Sequence, residues 1–129
     1  MKILAIALIT VLAFFTACSS DDDDQTQSKS RTLRYELTGN FSGSNSIAAY
    51  TTASGGTVTE QITSLPWSKE ITFDSSVVGA NLVVSGAGGS LGQQVTMVIK
   101  RGGNTLGTPI TATVDMAGTF TISSPVIIF

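Results

Sequence analysis

From Arg31 onward the chain alternates apolar and polar residues with a period of two. In Thr32 to Thr38, Leu33, Tyr35 and Leu37 share one face while Arg34 and Glu36 share the other, the signature of a half-buried strand. Ser46 to Thr52 and Thr57 to Thr63 flank Ser54-Gly55-Gly56 and predict a hairpin, with Glu60 on the face of Val58 and Ile62, which implies either a sheet edge there or a shifted register. Leu65-Pro66-Trp67-Ser68 is read as an interruption, because proline cannot donate to a ladder. Ile71 and Phe73 then alternate with Glu70 and Thr72, and Asn81 to Ser85 predicts a further strand. Gln94 to Arg101 places Val95, Met97 and Ile99 on one face, and Gly102-Gly103-Asn104 turns the chain into Leu106 to Val114, broken at Pro109. Thr119 to Ser123 follows the turn at Ala117-Gly118, and Val126 to Phe129 closes the series. No stretch carries the period of an amphipathic helix. The expected fold is all-β, an immunoglobulin-like antiparallel β-sandwich of seven or eight strands. Its inner faces should collect Leu33, Tyr35, Leu37, Ile71, Phe73, Val83, Val95, Met97, Ile99, Val114, Phe120 and Ile122.

The first thirty residues break this pattern. Met1-Lys2 is a short positive start, Ile3 to Phe15 is an apolar run, and the small residues Thr16-Ala17 precede Cys18. Such a leader reads as a cleaved secretory signal, too short to span a bilayer. The expected division is therefore a signal peptide over 1–17, a disordered acidic linker over 18–30, and one domain over 31–129. Phe15-Thr16-Ala17-Cys18 resembles the lipobox of bacterial lipoproteins, with Phe15 where leucine is usual. The resemblance implies that Cys18 takes acyl chains such as palmitate and becomes the mature N-terminus, which would anchor the protein to a membrane. Ser19, Ser20, Asp21, Asp22, Asp23 and Asp24 resemble the export signal that follows the lipidated cysteine in surface lipoproteins of Bacteroidota. That resemblance implies the outer face of the outer membrane, with the periplasmic face as the alternative. Four adjacent aspartates also make a solvated spacer, and nothing around them shapes a calcium cage.

The chain carries nine acidic and seven basic residues, for a net charge of −2. Within 31–129, Arg31, Arg34, Lys69, Lys100 and Arg101 balance Glu36, Glu60, Glu70, Asp74 and Asp115, so the excess charge lies in the linker. No basic field is present to attract nucleic acid. The single cysteine, Cys18, precedes the domain, so an apolar core rather than disulfides must stabilise it. The absence of histidine excludes Ser–His and Cys–His pairs and histidine-ligated metals, and the five domain carboxylates show no pairing in their spacing. Gly86 to Gly92 lacks the following helix and lysine of a phosphate loop and is read as an inter-strand loop. The protein is expected to be non-enzymatic and to need no cofactor or metal. Trp67 either seals the end of the core or stacks on a ligand, and Tyr35 and Tyr50 are expected inward with hydroxyls reaching a rim.

Tyr35-Glu36-Leu37-Thr38-Gly39, then Ala49-Tyr50-Thr51, then a hairpin and Ser64-Leu65-Pro66-Trp67-Ser68-Lys69 resemble the MmpS-type domain over residues 33–104. Leu65, Pro66, Trp67 and Ser68 are the specific part of that motif. The resemblance implies a small extracytoplasmic β-sandwich. In mycobacteria such domains are tethered by one transmembrane helix and assist MmpL-class exporters of lipids and siderophores. This chain differs in having a lipid-anchor motif and in lacking the cysteine pair associated with the mycobacterial domains, with Met97 near one of those positions. Three roles are open to such a domain: a surface module working through contacts with an envelope protein, a glycan or adhesion module, and an accessory subunit of an envelope exporter.

Overall fold

The computed structural model of the chain describes residues 30–129. Cys18, Ser19, Ser20 and Asp21 to Asp24, with the expected leader, lie outside the described residues.

The alternating segments form eleven strands: β1 (Thr32–Gly39), β2 (Asn45–Thr51), β3 (Thr57–Ile62), β4 (Trp67–Thr72), β5 (Gly79–Ala80), β6 (Leu82–Ala87), β7 (Gln94–Arg101), β8 (Asn104–Thr105), β9 (Ile110–Thr113), β10 (Phe120–Ser123) and β11 (Ile127–Ile128). Eight of these have four residues or more and build the sandwich, within the seven or eight expected. One sheet runs β4-β1-β7, with β8 and β9 both paired to β7, and the other runs β10-β6-β2-β3. The short β5 and β11 pair only with each other. Every pairing is antiparallel. The architecture is the expected all-β antiparallel sandwich, with this strand order of its own.

The inner faces follow from the period of two. Leu33, Tyr35 and Leu37 of β1 and Val95, Met97 and Ile99 of β7 are buried against Ala48, Leu82, Val84, Phe120 and Ile122 of the opposite sheet. Burying a leucine or valine of this kind stabilises a fold by about 1.5–3 kcal/mol. Eleven of the twelve expected core residues are buried; Val83 is the exception. Leu82-Val83-Val84 is a run of three apolar residues, so periodicity alone leaves its register open. The register is set at Gly86, which pairs with Phe120 and would place a Cβ only 2.4 Å from that ring. Gly86 must therefore face inward, which carries Val84 and Leu82 inward and turns Val83 out.

Four other expectations need correction. Pro66 ends immediately before β4, so Trp67 and Ser68 pair with Leu37 and Glu36 instead of interrupting the sheet. Proline needs no ladder bond there because the strand starts one residue later. Gly86 and Ala87 belong to β6, so the glycine-rich loop begins only at Gly88. The segment after the Gly102-Gly103 turn is ordered as a ladder only at Asn104–Thr105 and again from Ile110, with Gly107 and Pro109 between. Tyr50 fulfils its expectation, whereas the Tyr35 hydroxyl stays in the core without a hydrogen-bond partner. Tyr35 lies mid-strand between Lys69 and Ile99, too far along the ladder for its hydroxyl to reach a rim.

The registers give the sandwich two distinct ends. Ser30, Arg31, the Gly102-Gly103 turn, Asp74 to Gly79 and the β5–β11 pair lie where the linker joins. The loops 40–44, 63–66, 88–93 and 114–119 lie at the opposite end.

Candidate functional site

The family-motif residues meet the loop end along one open edge of the sandwich. Trp67 begins β4 opposite Leu37 and packs half-buried against the core, as Leu65 does one turn earlier. Arg34, Glu36, Leu37, Thr38, Pro66, Trp67 and Ser68 line an open cleft of about 250 Å³ on the outer side of this edge. Trp67 thus helps to close the core while remaining partly exposed.

Below it, two edge strands of opposite sheets are joined by charge. The Lys69 ammonium donates to Glu60 Oε2 at 3.0 Å, and the Tyr50 hydroxyl donates to the same oxygen at 2.8 Å. Glu60 and Lys69 occupy inward-facing positions of β3 and β4. Inward charges on edge strands oppose edge-to-edge pairing, and here each neutralises the other. The Glu60 carboxyl is held below its ordinary range by Lys69 first and Tyr50 second, with the Trp67 indole adding a smaller contribution. Lys69 is raised by the same bonds, that to Glu60 first. The edge position, one of the two readings of Glu60, is correct, and its partner Lys69 follows once Trp67 is placed in β4 rather than in a loop.

The loops of the far end are fastened to one another. Asn40 and Gln94 exchange two bonds, through Asn40 Oδ1 at 2.8 Å and the Asn40 N–H at 3.1 Å. Gln93 Oε1 accepts from the N–H groups of Ser90 at 2.9 Å and Ser42 at 3.2 Å. Asp115 Oδ1 accepts from the N–H groups of Thr119 at 2.9 Å and Ala117 at 3.0 Å, closing a tight turn. The Thr119 backbone bond, and then the Thr119 hydroxyl, hold the Asp115 carboxyl below its ordinary range. Gly118 ties this turn to the next loop, its carbonyl accepting from Gly89 N–H at 2.9 Å. Only glycine fits there: φ is +76° and a Cβ would lie 2.7 Å from the Gly89 carbonyl oxygen. Beneath the loops Phe41 meets Phe120 edge to face, with ring centroids 4.8 Å apart.

On this fastened scaffold Leu91 and Met116 stand out in solvent, 68% and 90% exposed. Periodicity could not single them out, because both lie between strands. The available signal was an apolar residue inside a Gly- or Asp-closed turn. The arrangement can present apolar anchors to a partner surface without ordering loops on contact.

Three of the five domain carboxylates are engaged within the domain. Glu36 is paired with Arg34 at 2.9 Å and Lys100 at 3.1 Å, Glu60 with Lys69, and Asp115 is consumed by its own turn. Among the described residues no three His, Cys, Asp or Glu side chains gather as a metal site would require. No described helix is long and apolar enough to cross a membrane.

A family model described as Mycobacterium membrane protein matches residues 6–103, more than half of the chain. The match starts within the apolar run Ile3 to Phe15 and runs through the Leu-Pro-Trp-Ser corner to the Gly102-Gly103 turn. No curated protein and no solved structure matches the chain.

Proposed function

Because the chain belongs to the Mycobacterium membrane protein family, we propose that it is a non-enzymatic envelope protein that holds a β-sandwich interaction module at a membrane. The observation that carries this reading is the loop end, where Leu91 and Met116 are exposed on mutually bonded turns far from the linker. Exposed apolar side chains on a rigid scaffold favour protein contacts. The anchor in this proposal is an acylated Cys18. The Ser19 to Asp24 tract would direct the domain to the outer surface of an outer membrane, the periplasmic face being the other possibility.

Family membership favours a second reading, in which the module is an accessory subunit of an envelope lipid or siderophore exporter. A glycan-binding role has only the partial exposure of Trp67 in its favour. The readings separate in intact cells. Replacement of Cys18 with serine should release the protein from the membrane fraction, and protease shaving should remove the domain if it faces outward. Crosslinked pull-down should then recover surface proteins on the first reading and a large inner-membrane transporter on the second. Retention of the Cys18→Ser protein in membranes would refute the lipid anchor.

A further inference from the structure

The end of the sandwich nearest the linker carries an apolar patch that the proposed contact role leaves unused. Val78, Val126 and Ile128 are 76%, 61% and 66% exposed. Val126 and Ile128 form one surface, lying side by side over Gly79 within 3.2 and 3.4 Å of where its Cβ would sit, and Val78 adjoins it in the chain, its carbonyl accepting from the Phe129 N–H at 3.1 Å. Phe129 borders the patch and is covered by two guanidiniums, Arg31 at 4.6 Å and Arg101 at 5.1 Å from its centroid. Arg31 also donates to the carbonyls of Phe73, Asp74 and Val77, and Arg101 to those of Ser30 and Ile128. The ion pairs among the described residues are Arg34–Glu36, Lys69–Glu60 and Lys100–Glu36, so neither arginine has a carboxylate partner there.

The place where the chain enters decides what can cover this patch. Ser30, whose carbonyl accepts from Arg101 Nε at 2.7 Å, is the residue through which 1–29 join the domain. Those residues include the apolar run Ile3 to Phe15 and Cys18, so a bilayer that holds the N-terminus lies within a tether of about a dozen residues from this face. A short tether imposes an effective concentration on the order of millimolar, so even a weak surface affinity becomes a populated contact. Apolar side chains ringed by arginine suit the headgroup–acyl boundary. The aliphatic tips enter it, and the guanidiniums remain at phosphate level.

We infer that the Val126–Ile128 face, with Val78 beside it and Arg31 and Arg101 at its rim, docks on the bilayer that anchors the chain. This orientation points Leu91 and Met116 away from the membrane. The inference rests on the membrane anchoring proposed above.

The test uses the full chain, extracted from membranes and reconstituted into phosphatidylcholine vesicles containing some phosphatidylglycerol, with and without brominated acyl chains. In the native chain Trp67 lies away from the docked end and should keep its emission. Val126→Trp should add emission that shifts to the blue and loses about half its intensity over brominated lipid, since interfacial side chains sink about 5–10 Å. Met116→Trp should add emission that the bromines leave untouched. Val78→Asp with Ile128→Asp, at sites exposed enough to keep the fold, should abolish the quenching of Trp introduced at 126. Flotation of the chain with vesicles but no quenching from position 126, or equal quenching from position 116, would overturn the docking and leave the anchor standing. Failure of the native chain to float would overturn the anchoring, and the docking with it.

Discussion

Tyr35 is fully buried and its hydroxyl has no hydrogen-bond partner, a condition that costs about 1–3 kcal/mol. Tyr35→Phe is therefore expected to raise stability by about 1 kcal/mol in chemical denaturation. Burial pushes the phenol up from 10.0 to about 12. A folded value above the unfolded one means that stability is intact below pH 10 and is lost as pH rises from 10 towards 12. The Phe variant should lose less over that interval, and identical alkaline arms would contradict the assignment. Glu60 works in the opposite direction. Its folded value lies below the ordinary 4.5, so its contribution is present above pH 4.5 and disappears as pH falls through the depressed value. Lys69, raised above 10.5, contributes below that pH and loses its contribution above it. Between these limits Glu60→Gln should cost about 0.5–1 kcal/mol, the range of partly exposed pairs, and should cost nothing once acid has protonated the native carboxyl. The inward direction of Tyr35 was legible from alternation. The fate of its hydroxyl was not, because that depends on where β4 starts.

At the scale of elements, edges and registers carry the account. β3 and β4 are open edges whose inward charges, Glu60 and Lys69, oppose pairing with another chain. Replacing both with valine should leave the fold intact but increase concentration-dependent association, read by light scattering. An unchanged monomer would show that the charges serve no such role. Gly118→Ala should destabilise the domain by about 1–2 kcal/mol, since it forces a side chain into left-handed backbone and against Gly89. Of the strands with clean alternation, β7 was legible to the residue and β1 to within one residue. The misread stretches share one cause: their register is fixed by a partner distant in sequence. Phe120 over Gly86 orients Leu82-Val83-Val84, and pairing with Leu37 and Glu36 draws Trp67 and Ser68 into β4. A one-residue slip in a strand exchanges its faces, so local pattern cannot resolve such runs.

Over the whole molecule, the described domain separates two surfaces by the length of the sandwich. The linker end bears Val78, Val126 and Ile128 with two arginines, and the loop end bears Leu91 and Met116 over an Asp115-closed turn. The sequence suggested the sandwich and the family, because strand periodicity and the Leu-Pro-Trp-Ser segment are local. It did not suggest the loop end as a site, because loops 88–93 and 114–119 are brought together only by the fold. Met116, Val126 and Ile128 also lie beyond residue 103, where the family match ends. The most direct measurement places a photo-crosslinking amino acid at Met116 in intact cells that produce the protein. One discrete protein adduct should form from that position, disappear when Leu91 is replaced by aspartate, and be absent when the crosslinker sits at Thr111 on the outer sheet face. No adduct from Met116, or the same adducts from Thr111, would contradict a contact surface at the loop end.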